Sequence, residues 1–214
     1  GGLNQTGQNL TFVGALTGNA NTTGSENTAV GAQALVSNVS GSYNTAIGRG
    51  TLANNTASNN TAVGYQALQD NVGGTINTAL GRQALAKNTS GTNNTAVSYA
   101  MVSNLTGSSN TAVGLGALQL NESGNYNVAV GVNALHTNNG TNNIAIGNEA
   151  LYSNDTGGNS VAIGASALKD STSTGNTAVG YFAGENITSG TYSVYMGYLA
   201  GRNVGTGGFN VGIG

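Results

Sequence analysis

The residues that could do acid–base or metal chemistry are few and scattered along this chain. There is a single histidine, His136, and there are seven carboxylates. The carboxylates are Glu26, Asp70, Glu122, Glu149, Asp155, Asp170 and Glu185. Catalysis and metal binding both need such groups to converge on one point. These residues hold no constant place in the repeat described below, so the sequence predicts no catalytic residue, no metal site, no cofactor and no enzyme activity.

Asparagine offers a second kind of chemistry, the attachment of N-linked glycans at N-x-S/T sequons. The sequence contains several sequons, and those in the variable turns of the repeat are the better candidates because turns are usually exposed. These candidates are Asn21, Asn38, Asn88, Asn121 and Asn154. With so much Asn, Ser and Thr, many sequons also arise from composition alone, so glycosylation is the less favoured interpretation.

The element that must position all of these residues is a repeat, N-T-A-V-G followed by x-x-A-L, which recurs every 16 or 17 residues. Its closing positions are Gly14, Gly31, Gly48, Gly64, Gly81, Ser98, Gly114, Gly131, Gly147, Gly164, Gly180, Gly197 and Gly214. A short, constant period is typical of a solenoid, in which each repeat is one coil stacked on the last. We predict an all-β parallel β-solenoid of about 13 coils, forming a single domain over 1–214.

Within one coil, side-chain alternation along a strand separates Thr28 and Val30 from Ala29. Because β-branched residues suit a packed parallel strand, we predict that the Thr28 and Val30 columns face the core. Leu35 is expected to return to the core from a second short strand. Asn38 follows, and stacked asparagines at this position are expected to hydrogen-bond from coil to coil as a ladder.

The alanine column then falls on the opposite face from the predicted core. Its members are Ala29, Ala46, Ala62, Ala79, Ala96, Ala112, Ala129, Ala145, Ala162 and Ala178. One interpretation is a narrow second interior layer within the chain. The interpretation we favour is a small-residue stripe along which identical rods pack around a symmetry axis. It predicts a homo-oligomer.

The pentapeptide, with variants such as Ser160-Val161-Ala162-Ile163-Gly164, resembles the S-V-A-I-G motif of trimeric autotransporter adhesin heads. The longer form at Asn60 to Leu68 also resembles repeats of phage and giant-virus tail-fibre proteins. The resemblance covers nearly the whole chain. It implies a left-handed β-roll, assembled as a homotrimer, that displays adhesive surface far from its anchor.

The last coils, 181–214, differ from the others because glycine replaces the leucine and aromatic residues accumulate. One interpretation is that the aromatics fill the core volume that the leucines vacate. The functional alternative is a ligand patch for a host-surface glycan or a partner protein, formed by Tyr181, Phe182, Tyr192 and Tyr198.

Composition limits the partners of the chain. Only 6% of residues are charged and the formal net charge is −2, which gives no electrostatic basis for binding nucleic acid. No apolar run reaches the ~20 residues of a membrane-spanning helix, so we predict no membrane insertion. Together with the lack of cysteine, these features suit an extracellular, cell-surface or virion protein.

Three functional hypotheses follow from the repeat. The favoured one is a structural and adhesive segment of a surface appendage or viral tail fibre. The first alternative is an extracellular filament whose coils, lacking an evident cap, stack end to end. The second is ice binding by the threonine column that includes Thr28; it is disfavoured because this column is predicted to face inward and Val128, Ile144 and Val161 interrupt it.

Overall fold

The computed structural model describes residues 4–214 and contains no helix in that range. The described residues form thirteen three-residue strands, divided between two compact units, one ending at Ser109 and the other comprising Asn110–Gly214. The first unit contains β1 Thr11–Val13, β2 Thr28–Val30, β3 Thr45–Ile47, β4 Thr61–Val63, β5 Thr78–Leu80 and β6 Thr95–Val97. The second contains β7 Thr111–Val113, β8 Val128–Val130, β9 Ile144–Ile146, β10 Val161–Ile163, β11 Thr177–Val179, β12 Val194–Met196 and β13 Val211–Ile213.

Within each unit, strands that follow one another along the chain pair in parallel and in register. Thr28 lies opposite Thr45, and equivalent motif positions face each other in the other pairs of the unit. The second unit repeats the pattern, for example with Ala129 opposite Ala145. Each strand also ends one residue before a predicted coil end. The prediction of an all-β parallel β-solenoid is therefore confirmed.

The motif glycine is where the chain turns out of the strand. Gly31 has φ +134°, a conformation that side chains disfavour, and a Cβ placed there would lie 2.6 Å from the carbonyl carbon of Gly48 in the next coil. Glycine therefore serves both the turn and the close stacking of the coils.

The predicted second strand at the Ala-Leu segment is wrong. Gln33 and Leu35 have φ values of +61° and +51°, so the backbone alternates into the left-handed region and cannot extend. Hydrogen bonds still run from coil to coil on this side. The Leu35 N–H donates to the Thr51 carbonyl over 3.1 Å, and the Ser37 N–H donates to the Ala53 carbonyl over 3.0 Å.

The prediction of which strand face points inward is also wrong. Ala29 and Ala46 are 0% exposed, whereas Val30 and Ile47 are 36% and 41% exposed. The interior holds the alanine column together with the fully buried Leu35 column, whose return to the core was predicted correctly. A coil of this length encloses so little space that a methyl group fills the position opposite a leucine, and the branched side chains are left outside.

Buried asparagines complete the interior, and the predicted ladder is confirmed. The Asn38 side chain donates to Asn21 Oδ1 over 3.1 Å and to the Gly41 carbonyl over 2.9 Å, and the pattern recurs in later coils. A second buried column starts at Asn27, whose Oδ1 accepts from the Asn44 N–H over 2.9 Å. Amide groups can line the interior because the neighbouring coil supplies the hydrogen-bond partners that water would otherwise provide.

Candidate functional site

One surface that recurs through each unit is the outward face of its strands, which we call the outer strand face. It consists of the first and third residues of every strand, such as Thr28 and Val30 in β2 and Ile144 and Ile146 in β9. Its third-residue column is apolar: Val63, Val97 and Val179 are half-buried, and the other members are exposed, for example Leu80 at 50%. Neither column contains a charged residue in either unit.

Threonine dominates the first column of this face in the first unit. Every strand from β1 to β6 begins with threonine, and these residues are half-buried or exposed. The expectation that the threonine column points inward is therefore corrected. In the second unit the column is mixed, because Val128, Ile144 and Val161 stand in it.

The alanine column cannot be the oligomer contact that the sequence suggested. Its members are at most 1% exposed within the single chain. They are Ala29, Ala46, Ala62, Ala79, Ala96, Ala112, Ala129, Ala145, Ala162 and Ala178. An alanine enclosed by its own coil has no surface left for a second chain. The interior-layer alternative describes the column correctly.

The five sequon asparagines are not exposed either. Asn21, Asn38, Asn88, Asn121 and Asn154 are all 0% exposed because they are members of the ladder. Asn88, for example, donates to Asn71 and to the Gly91 carbonyl. A glycan on any of these side chains is incompatible with the folded coil, so they are corrected from candidate glycosylation sites to core residues.

The structure divides the predicted aromatic patch into two groups. Tyr181 stacks on Tyr198 with ring centroids 5.6 Å apart, and Phe182 meets Tyr181 edge-on at 4.2 Å. Tyr192 stacks instead on Phe209, and no ring contact within residues 4–214 joins the two groups. The role of the patch in ligand binding stays a prediction.

The core-filling interpretation of the aromatic-rich coils holds for a residue outside that patch. Tyr195 occupies the alanine column and is 1% exposed. Its ring lies against Gly201 and Gly184, which stand where other coils carry leucine.

The described residues of the second unit contain two ion pairs. The Arg202 guanidinium bonds Glu185 over 2.5 Å and lies 4.8 Å from the centroid of the Phe182 ring. Lys169 bonds Glu149 over 2.7 Å, and this hydrogen bond raises the pKa of Lys169.

His136 packs against an aromatic ring. Its imidazole stacks on Tyr152 at 4.9 Å, and partial burial lowers the pKa of the imidazole. No group of three or more His, Asp or Glu side chains in the described range could hold a metal ion.

In comparisons with known proteins, the chain matches no protein-family model, no curated protein and no solved structure. Among residues 4–214, no helix is long and apolar enough to cross a membrane.

The outer strand face is the surface that the sequence analysis missed, because its residues were assigned to the core. A signal was present in the sequence. Met196 and Leu80 stand in its third column, and variation of this kind is easier to accommodate on an open surface than in a narrow coil.

Proposed function

We propose that the chain is a structural and adhesive fibre segment that assembles as a homo-oligomer through its outer strand face. The observation that carries the proposal is the uncharged, β-branched face that recurs in register through each unit. The face exposes large apolar side chains such as Ile47 and Leu80 in consecutive coils. Contiguous exposed apolar surface is typical of a protein–protein contact.

The size of the outer strand face sets how much of the chain an assembly must use. Six strands spaced by about 4.8 Å, each about 10 Å long, give a face of roughly 290 Å² in one unit. A stable interface buries about 800 Å² on each partner. Contacts from both units, and from flanking surface, are therefore required in this proposal.

A homotrimer is the form we propose, because the motif resembles that of trimeric adhesin heads. Adhesion would then come from the turns, which differ from coil to coil and would offer many weak contacts whose strength multiplies by valency. Such a segment would serve at an extracellular surface or on a virion, with a host glycan or protein as its partner.

Light scattering of the purified chain with two matched variants tests this proposal. We expect the wild-type chain to have about three times the 21.0 kDa mass of one chain. Ile47→Lys places a charge on the outer strand face and should yield monomers, because burying unpaired like charges at a contact is costly. Val39→Lys is the control, since Val39 is similarly exposed, at 47% against 41% for Ile47, but lies outside the strands.

The outcomes separate the hypotheses. A wild-type monomer at all concentrations, or equal dissociation by both variants, would contradict assembly through the outer strand face. Assemblies of unlimited and heterogeneous length would favour the end-to-end filament instead. Circular dichroism of each variant should match the wild type, which excludes unfolding as the cause of dissociation.

Ice binding is a second candidate, because the threonine column of β1 to β6 points outward and one of the two reasons for disfavouring ice binding no longer applies. The binding surface would be the threonine column and the apolar third-residue column of the outer strand face in the first unit. Thermal hysteresis of the wild-type chain, lost in Ile47→Lys and kept in Val39→Lys, would support it. A freezing point that equals the melting point would exclude it.

A further inference from the structure

A polar recess lies on the first unit, on the turn segments that follow β2, β3 and β4. It exists because two small residues stand in columns of larger ones. Gly50 falls between Gln33 and Gln66, and Ala53 shares its column with Val36. The recess has a volume of about 250 Å³. Pockets for drug-sized ligands run from about 300 to 1,000 Å³, so this one suits a smaller molecule.

Neighbouring side chains orient two amides of the recess. Gln83 donates to Gln66 Oε1 over 3.1 Å, which leaves the Gln66 amide nitrogen as a donor for a ligand. Asn54 donates to Asp70 Oδ1 over 2.9 Å, which leaves Asn54 Oδ1 as an acceptor. One directed donor and one directed acceptor are what adjacent hydroxyl groups require.

A cation and an aromatic ring complete the lining. Arg49 is exposed and forms no ion pair within residues 4–214, so its planar fork is available to a carboxylate. Tyr65 is 42% exposed and offers a ring against which the C–H face of a sugar can pack. Val36 and Ala53 supply the apolar contact.

We propose that this recess binds a single carboxylate-bearing sugar residue, such as a uronic acid. Arg49 would bind the carboxylate, Gln66 and Asn54 the ring hydroxyls, and Tyr65 the apolar face of the ring. The inference names the ligand class of the proposed adhesive function. It uses the turn side of the coil, so the outer strand face remains free for assembly.

Ligand-detected NMR with methyl β-glucuronide tests the proposal, with methyl β-glucoside as the uncharged comparison. We expect saturable binding of the glucuronide with a Kd in the millimolar range, and at least tenfold weaker binding of the glucoside. Arg49→Ala should abolish that preference, because a charge-assisted contact contributes about tenfold or more in affinity. Arg82→Ala is the matched control: Arg82 has the same motif position two coils later and does not line the recess.

Gly50→Gln provides a variant that fills the recess while keeping the fold. Gly50 has φ +66°, and Gln33 and Gln66 hold φ +61° and +56° at the same motif position. A Cβ on Gly50 meets nothing closer than Gln66 Cγ at 3.5 Å. We therefore expect normal circular dichroism and at least a tenfold loss of glucuronide binding.

Several results would overturn the proposal. They are the lack of saturable glucuronide binding, unchanged binding in Gly50→Gln, and equal losses in Arg49→Ala and Arg82→Ala. The oligomeric mass of these variants, measured in parallel, should equal that of the wild type. Failure of sugar binding with an intact oligomer would remove the recess and leave the assembly proposal standing.

Discussion

Removing one amide from the buried ladder should destabilise the fold by an amount that the structure allows us to estimate. Asn88 makes three ladder hydrogen bonds: its Nδ2 donates to Asn71 Oδ1 over 2.7 Å and to the Gly91 carbonyl over 3.0 Å, and its Oδ1 accepts from Asn104 over 2.8 Å. Asn88→Ala removes all three and leaves Asn71 Oδ1 buried without a donor. The Gly91 carbonyl keeps its bond from Asn77, so it is not orphaned.

The expected loss in the free energy of unfolding is about 3 kcal/mol, at about 1 kcal/mol net for each bond. With a urea m-value of about 3 kcal/mol/M, the unfolding midpoint should fall by roughly 1 M. The assay is urea unfolding followed by circular dichroism at one fixed protein concentration, because assembly contributes to apparent stability.

Asn54→Ala is the matched control for this experiment. Asn54 is exposed and makes one side-chain bond, to Asp70. Its replacement should change stability by no more than about 0.5 kcal/mol. If Asn88→Ala lowers the midpoint no further than Asn54→Ala does, the ladder does not hold the coils together and the account of the interior is wrong.

Two other substitutions should stabilise the chain, and urea unfolding measures both. Ser171→Asn should raise the free energy of unfolding by about 1 kcal/mol, because Asn154 Oδ1 is buried without a donor where Ser171 interrupts the ladder. The Oδ1 of the introduced asparagine can accept from the side chain of Asn176, five residues later, as Asn55 Oδ1 accepts from Asn60. An unchanged or lower midpoint would contradict this. Tyr195→Phe should also add about 1 kcal/mol, because the Tyr195 hydroxyl is buried without a partner; a destabilised variant would show that the hydroxyl has an unrecognised donor or acceptor.

The architecture was predictable from the sequence because a fixed period constrains stacking directly. If equivalent residues such as Gly31 and Gly48 recur at one spacing, parallel in-register coils place identical contacts on each other. The asparagine ladder was predictable for the same reason. A buried amide needs a hydrogen-bond partner, and the adjacent coil supplies an identical amide, as Asn55 does for Asn38. Periodicity therefore predicted the stacked coils, the position of the one strand that each coil contains, and the leucine core.

Local conformation was less predictable. The Ala34-Leu35 segment was expected to extend, and instead Leu35 adopts φ +51°. Non-glycine residues rarely adopt this left-handed conformation. Here Leu35 does so beside Leu52 of the next coil, which has the same conformation, and a hydrogen bond from coil to coil holds it in place. Backbone conformational propensities measured for isolated residues do not include the energy of stacking one coil on the next. The buried sequons were missed for a related reason: a turn asparagine is usually exposed, whereas here Asn38 turns inward to join the ladder.

The side of the strand that faces inward was the main error, and the chain itself carries the information to correct it. Alternation separates two faces without saying which is inside. The side-chain volumes in the alanine and leucine columns show which face is inside, because they vary together. Phe12 occupies the alanine column in the coil whose leucine position is Gly18, and Tyr195 does the same in the coil with Gly201. A large residue in one column therefore coincides with glycine in the other, as expected only if the two columns share one enclosed space. The alanine column must then be internal, and the branched residues beside it must form the surface on which the proposed assembly depends.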